Sequence, residues 1–125
     1  ASGFAVVGVA VNLVRDQAEY DPATGHGAVG VELVVPGITS PGLDKASAEP
    51  LHPMLMTAPH VKYVNLWQRG YMLLDANPQR VQADWYLYEA VEDPDDAVAQ
   101  FAAARSTYAG EHCLRTESAP ASAKS

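Results

Sequence analysis

The chain has 125 residues, of which 48% are hydrophobic and 18% charged, and these proportions are typical of one globular domain with one core. Its formal net charge of -7 argues against binding to a nucleic-acid backbone, because such binding depends on clustered Lys and Arg. No apolar run reaches the length of about 18 residues that a membrane span needs. We therefore expect no nucleic-acid binding and no transmembrane segment.

The N-terminus and the single cysteine do not decide the cellular compartment. The chain opens on Ala1-Ser2-Gly3 without an initiator Met, so we expect a processed chain or a fragment. No Lys or Arg precedes the first apolar run, residues 4–14, as it would in a signal peptide. Cys113 is the only cysteine, so it cannot form an internal disulfide, and the redox compartment stays open.

In the first half of the chain, the valine-rich run 4–14 favours a buried strand, although a short helix fits its periodicity too. Residues 21–25 carry Pro and Gly at turn positions. Residues 28–35 alternate loosely and are β-branched, which predicts a strand. The small, polar stretch 38–53 predicts a long loop, and Leu51–Met56 could form one helical turn at its end.

In the second half, residues 60–65 and 70–75 look like a strand pair joined by a turn or bulge at 67–69. After a turn at Asn77-Pro78, residues 81–88 alternate and extend these strands into an antiparallel meander. One face of this last strand carries its apolar side chains, namely Val81, Ala83, Trp85 and Leu87.

A helix is expected near the C-terminus. Asp93, Pro94, Asp95 and Asp96 have the composition of a helix start, and Gly110 that of a helix end. The helix would span residues 97–108, and the small, polar residues 118–125 would form a flexible tail after a domain of residues 1–117. The expected fold class is α/β in the α+β sense, mostly an antiparallel β-meander with a C-terminal helix.

Residues with catalytic or ligating chemistry are scattered. The four histidines, His26, His52, His60 and His112, form no paired motif, and Cys113 has no C-x-x-C partner, so we expect no metal site from this chain alone. Thr39 and Ser40 lack the surroundings of a nucleophile and predict a capped turn. His60 follows a proline at a strand start, where a structural and a functional histidine are both plausible. The residues by themselves leave the function open.

Several motifs share their order and spacing with a known family. Tyr20-Asp21-Pro22-Ala23-Thr24-Gly25 leads into residues 31–42, Pro59-His60-Val61-Lys62 into Arg69-Gly70-Tyr71, and residues 78–86 are followed by Gly110-Glu111-His112. Over about residues 15–112 this resembles the C-terminal portion of PhoD-type alkaline phosphatases, a family that also holds a metal-dependent phospholipase D. The resemblance implies a calcineurin-like metallophosphatase fold, a β-sandwich flanked by helices, of which this chain would be roughly the last quarter.

The resemblance also implies a chemistry. Family members hydrolyse phosphate monoesters and diesters with metal-activated water, and are usually exported to the periplasm or the extracellular space. The implied cofactors are calcium and iron, mostly bound by residues outside this chain. The implied partners are a phosphate-ester substrate and the missing N-terminal part of the same enzyme.

By the same resemblance, His60 should lie near the metal cleft, as a catalytic residue and a candidate metal ligand. Further candidates for contacts to the phosphate, to the residues that support it or to the cleft wall are Lys62, Asn65, Arg69, Thr39 and Ser40.

Two departures from the family pattern open alternatives. Aligned without gaps, the family's Gly-Asp-x-His metal motif falls on residues 3–6, where Phe4 and Val6 cannot ligate a metal. The family's Asn-Pro-His is Ala58-Pro59-His60 here, so an oxygen ligand is missing at Ala58. The chain could therefore be a catalytically inactive homologue or a structural or binding module without the metal site, and a small unrelated binding domain is a third hypothesis.

Overall fold

Two antiparallel sheets share one core in the computed structural model, which describes residues 8–35, 45–88 and 98–122. The first sheet has three strands in the order β2-β1-β3, formed by β1 (Gly8–Val14), β2 (Ala28–Val34) and β3 (Val61–Asn65). The predicted strand at residues 28–35 is therefore confirmed. The strand predicted at 4–14 is confirmed from Gly8 onward, and residues 4–7 lie outside the described part.

The second sheet is a meander of four strands in chain order. Its strands are β4 (Gly70–Ala76), β5 (Arg80–Tyr88), β6 (Ala99–Tyr108) and β7 (Arg115–Glu117). Between β2 and β3 lie two short helices, α1 (Lys45–Ala48) and α2 (Leu51–Met56). The predicted helical turn is thus confirmed as α2, whereas residues 45–48 are helical and not part of a loop.

The predicted C-terminal helix is wrong, because residues 99–108 form β6. They pair with β5 from Arg80↔Tyr108 to Tyr88↔Ala99, with a bulge between Trp85 and Tyr86. The alanines of this stretch favour a helix in isolation, but the ladder to β5 outweighs that local preference. The proposed helix start at Asp93 lies outside the described residues.

Strands form at both predicted places, 60–65 as β3 and 70–75 as β4, but the predicted pairing between them is wrong, since β3 pairs with β1 and β4 pairs with β5. The chain changes sheets directly after β3. The Asn65 Oδ1 accepts the N–H groups of Trp67, at 3.2 Å, and Gln68, at 3.0 Å, which closes a tight turn. Further along, the Arg69 carbonyl accepts the N–H of Tyr88 at 2.7 Å, so the chain enters the second sheet there.

Alanines on three strands let the two sheets approach closely around one tryptophan. Ala10, Ala83 and Ala103 surround Trp85, which is 0% exposed. The Trp85 ring centroid lies 5.1 Å from that of Tyr63, and its Nε1 donates to the Val34 carbonyl at 3.2 Å. The predicted apolar face of β5 is therefore the side that packs against the first sheet.

The opposite face of β5 buries two polar side chains, Gln82 and Asp84. Gln82 donates through Nε2 to the Asp84 Oδ1 at 2.9 Å and to the Ala119 carbonyl at 3.1 Å. The Asp84 Oδ2 accepts the N–H of Ala121 at 2.9 Å. The segment after β7 therefore satisfies the polar groups that β5 buries. The domain boundary at 117 and the flexibility of the tail stay predictions.

Gly70 at the start of β4 leaves no room for a side chain. A Cβ there would collide with the Tyr86 carbonyl oxygen and lie 3.0 Å from the Leu87 Cα. We expect Gly70→Ala to lower the free energy of unfolding by about 1–3 kcal/mol through overpacking, as measured by urea denaturation.

Gly30→Ala is the matched control for that measurement. Gly30 also lies in a strand, but its nearest neighbour for a Cβ is the Leu13 Cδ1, at an ordinary 3.7 Å. The control should stay within about 0.5 kcal/mol of the parent, as substitutions without a specific clash do. Equal losses in the two variants would contradict the close approach of β4 and β5 at Gly70.

Among the residues that the structure describes, no helix is long and apolar enough to cross a membrane.

Candidate functional site around His60

His60 lies directly before β3, beside the C-terminal half of β1. Its carbonyl oxygen accepts the N–H of Asn12 at 2.8 Å, which extends the sheet by one bond. Its half-buried ring meets Gln17, whose Nε2 lies 3.2 Å from the His60 Nδ1. Both the backbone and the ring of His60 are thus held in place, as a site residue would need.

A buried polar network supports the backbone at His60. Asn12 is 0% exposed, and its Nδ2 donates to the Tyr20 hydroxyl at 2.9 Å. The Asn12 Oδ1 accepts the N–H of Leu114 at 2.7 Å, and the Tyr20 hydroxyl lies 3.5 Å from the Pro59 carbonyl. The network therefore joins β1, the segment before β3 and the segment after β6 at one point.

Gln17 opens a one-turn 3-10 helix, Gln17–Glu19. The helix begins after Asp16, whose side chain accepts the N–H of Ala18 at 2.9 Å, and ends where the Tyr20 N–H bonds to the Gln17 carbonyl at 3.3 Å. This turn presents Gln17 to His60 while it places Tyr20 in the buried network.

The predicted turn at 21–25 is confirmed and follows this helix directly. The Asp21 carboxylate accepts the N–H of Ala23 at 2.9 Å and the Thr24 hydroxyl at 3.0 Å. The backbone bond from Ala23 and the side-chain bond from Thr24 hold the pKa of Asp21 below its ordinary value. Gly25 and Gly27 take φ values of +79° and +93°, which side chains disfavour.

Lys62 contacts the same loop as His60. Its Nζ donates to the Pro22 carbonyl at 3.1 Å and lies 5.9 Å from the centroid of the Tyr20 ring. His60 and Lys62, two of the predicted site residues, therefore both contact the segment from Gln17 to Pro22.

The other candidate site residues are placed elsewhere. Asn65 is at the far end of β3, roughly 16 Å from His60 at strand spacing, and its amide is engaged in the turn with Gln68. Arg69 lies beyond that turn, with an exposed side chain. Thr39 and Ser40 lie outside the described residues. The roles assigned to these four residues stay predictions.

The described residues do not fit a bound metal ion. Within ranges 8–35, 45–88 and 98–122, no group of three or more His, Cys, Asp or Glu side chains could hold one. The metal-ligand role assigned to His60 stays a prediction. Residues 3–6, where the metal motif was sought, are not described.

Three residues that hold His60 were missed from the sequence, namely Asn12, Gln17 and Tyr20. The sequence alone could have identified Asn12, because a polar residue inside a buried valine-rich strand must find hydrogen-bond partners. Nothing in the sequence indicates Gln17, because it contacts His60 across 43 residues of sequence and lies in an ordinary polar loop.

Tyr63 and Arg105 form a half-buried pair between the two sheets. The Arg105 guanidinium lies 5.7 Å from the Tyr63 ring centroid and donates through Nη2 to the Lys62 carbonyl at 3.0 Å. Burial raises the pKa of Tyr63 above its ordinary 10.0, and the positive charge of Arg105 offsets part of this effect. Burial also lowers the pKa of Arg105.

The raised pKa of Tyr63 predicts a loss of stability in alkali. The folded state holds the phenol proton more tightly than the unfolded state, so its contribution is complete below pH 10.0 and falls as the pH rises through the folded pKa. In urea titrations at a series of alkaline pH values, Tyr63→Phe should lose stability less steeply than the parent. Tyr71→Phe, at the stacked Tyr71–Tyr86 pair, serves as control. The same alkaline slope in parent and Tyr63→Phe would contradict the prediction.

Comparison with known proteins places this arrangement in a family. No curated protein and no solved structure matches the chain. A family model described as "PhoD-like phosphatase" matches residues 8–85, more than half of the chain. The match runs from the start of β1 to Trp85 in β5, and so includes His60, Gln17, Asn12 and Tyr20. The chain therefore belongs to the PhoD-like phosphatase family.

Proposed function

We propose that this chain is the C-terminal segment of a PhoD-like alkaline phosphatase or phosphodiesterase that hydrolyses phosphate esters. The observation that carries the proposal is the family match over residues 8–85, which includes His60 together with the Asn12, Gln17 and Tyr20 side chains that hold it. A histidine ring and the Lys62 ammonium, both contacting one loop, suit a phosphate group because both can donate to its oxygens.

The metals of such an enzyme would be held by residues outside this chain. Calcium and iron are the proposed ions, in a calcineurin-like site, and when bound they would supply an activated water and neutralise phosphoryl charge. The upstream part of the same enzyme is therefore the proposed partner, and a phosphate ester the substrate. Export to the periplasm or the extracellular space is part of the same proposal.

A second candidate function is a catalytically inactive homologue. It is favoured by Ala58, which replaces a side-chain oxygen with a methyl group beside His60, and by the lack of a metal-ligating cluster among the described residues. Such a protein would keep both sheets and the network around Asn12 without turning over a phosphate ester.

The purified 125-residue chain is expected to show no turnover of p-nitrophenyl phosphate, because the activating ions would be bound elsewhere. Mixed with the upstream part of the enzyme, it should bind iron and calcium by elemental analysis and gain chelator-sensitive activity. Turnover by the chain alone, unaffected by a chelator, would contradict the proposal. An assembled protein that binds no metal would favour the inactive homologue.

In the active assembly, His60→Ala should remove most of the turnover, because it deletes the ring that faces the proposed phosphate. His52→Ala is the control, since His52 is an exposed histidine on α2 with no described role at His60. Equal activity of the two variants would contradict a role for His60.

A further inference from the structure

We propose that Gln17 fixes the tautomer of His60, so that the neutral ring presents an Nε2–H donor to a phosphoryl oxygen and does not act as a metal ligand. The identity of the acceptor rests on the proposed function, whereas the tautomer rests only on contacts within this chain. Gln17 is thereby a positioning residue that acts through His60.

The tautomer follows from the direction of one hydrogen bond. In the structure the Gln17 amide is oriented with Nε2, an N–H donor, 3.2 Å from the His60 Nδ1, and this orientation makes Nδ1 the acceptor. A neutral imidazole has one donor and one acceptor nitrogen, which places its proton on Nε2. An Nε2 that carries a proton has no lone pair for a metal ion and is suited to hydrogen bonding with an anionic oxygen.

Both partners of this bond are anchored to the same network. Tyr20 ends the one-turn helix that carries Gln17 and also bonds to Asn12, whose N–H holds the His60 carbonyl. The returning loop packs tightly under that helix, since a Cβ on Gly27 would lie 2.5 Å from the Glu19 carbonyl oxygen. The Asp21 N–H bonds to the His26 carbonyl at 2.9 Å and closes this loop. The amide of Gln17 is therefore presented to His60 by fixed backbone on both sides.

The opposite ring nitrogen, Nε2, is the one that the proposal assigns to the ligand. Among the described residues, Nε2 of His60 makes no hydrogen bond, and the ring is half-buried. Lys62, two residues further on, adds a positive charge against the same loop. A neutral donor and an ammonium group that contact the same loop can bind a phosphoryl oxygen without proton transfer from the ring.

The test is the tautomer of the neutral ring, read from the ring nitrogen chemical shifts of the ¹⁵N-labelled 125-residue chain. Nε2 should show the shift of a protonated nitrogen and Nδ1 that of an unprotonated one. Gln17→Glu replaces the donor with a carboxylate that can only accept, so the proton should move to Nδ1. Gln79→Glu makes the same charge change in an exposed turn and should leave the His60 shifts as in the parent.

Two results would overturn the inference. One is an Nδ1 proton in the parent chain, and the other is an unchanged tautomer in Gln17→Glu whose backbone amide spectrum matches that of the parent. If Gln17→Glu fails to fold, Gln17→Met removes the bond without adding charge, and shifts that stay at the parent values would equally overturn it. Failure of the phosphatase assay with the parent tautomer intact would count against the proposed function and leave the role of Gln17 standing.

Discussion

Replacement of Trp85 by alanine should lower the free energy of unfolding by about 3–5 kcal/mol, the range measured for large aromatic residues in cores. Trp85 is fully buried between the two sheets, with Ala10, Ala83 and Ala103 around it. Alanine neighbours cannot extend into the space that the indole would leave, so the cavity would persist. A loss of this size is a large fraction of the stability of a small domain, and the variant could be unfolded at room temperature.

Urea denaturation measures this loss. Unfolding is followed by circular dichroism, because the variant lacks Trp85, the buried tryptophan whose fluorescence would report unfolding. Trp85→Phe separates the two contributions of the side chain. It keeps an aromatic ring near Tyr63 but loses the bond from Nε1 to the Val34 carbonyl, so it should cost less than alanine. An alanine variant within about 1 kcal/mol of the parent would contradict a core centred on Trp85.

The strand that contains Trp85 shows which features the sequence pattern predicts and which it does not. Alternation over residues 81–88 correctly predicts the strand and its apolar face, because side chains two residues apart lie on the same face of a strand. The same pattern fails to assign Gln82 and Asp84, which are 2% and 3% exposed. Their burial depends on the segment around Ala119 and Ala121, which lies 37 residues away in sequence.

The wrong helix and the wrong strand pairing have a common cause. Residues 99–108 have helical composition and become a strand through pairing with β5, and residues 61–65 lie close in sequence to β4 but pair with β1. In each case a ladder formed with a distant strand outweighs the local preference. Local turn chemistry, by contrast, was readable at residues 21–25, where the side chains of Asp21 and Thr24 bond within the turn itself.

The candidate site, too, is predicted from the sequence only in part. The sequence motifs point to His60 and Lys62, and the structure brings these two against one loop. The motifs could not supply the Gln17 contact or the bond from the Leu114 N–H to Asn12, which spans 102 residues. Leu114 lies beyond the family match over residues 8–85, so the connection between β6 and β7 contributes to the support of His60 from outside the matched region.

Asn12→Leu should therefore weaken the fold and the site together, with a loss of about 2–5 kcal/mol. A leucine of similar size fills the space, but it leaves the part-buried Leu114 N–H without its acceptor and the Tyr20 hydroxyl with only the long 3.5 Å contact to the Pro59 carbonyl. Each unsatisfied buried group costs about 1–3 kcal/mol. Urea denaturation gives the total, and faster hydrogen exchange at the Leu114 amide identifies its local source.

Tyr20→Phe is the matched variant at the other end of the bond. It removes only the hydroxyl that Asn12 contacts at 2.9 Å, and should cost about 1–3 kcal/mol. In the double variant the free energy of unfolding should fall by less than the sum of the two single losses. Once Tyr20 is a phenylalanine, there is no hydroxyl that the Asn12 substitution could leave without its partner. Strictly additive losses would contradict a direct bond between Asn12 and Tyr20. A coupled loss, with altered His60 ring shifts in both single variants, would mean that the same buried amide stabilises β1 and holds the histidine in place.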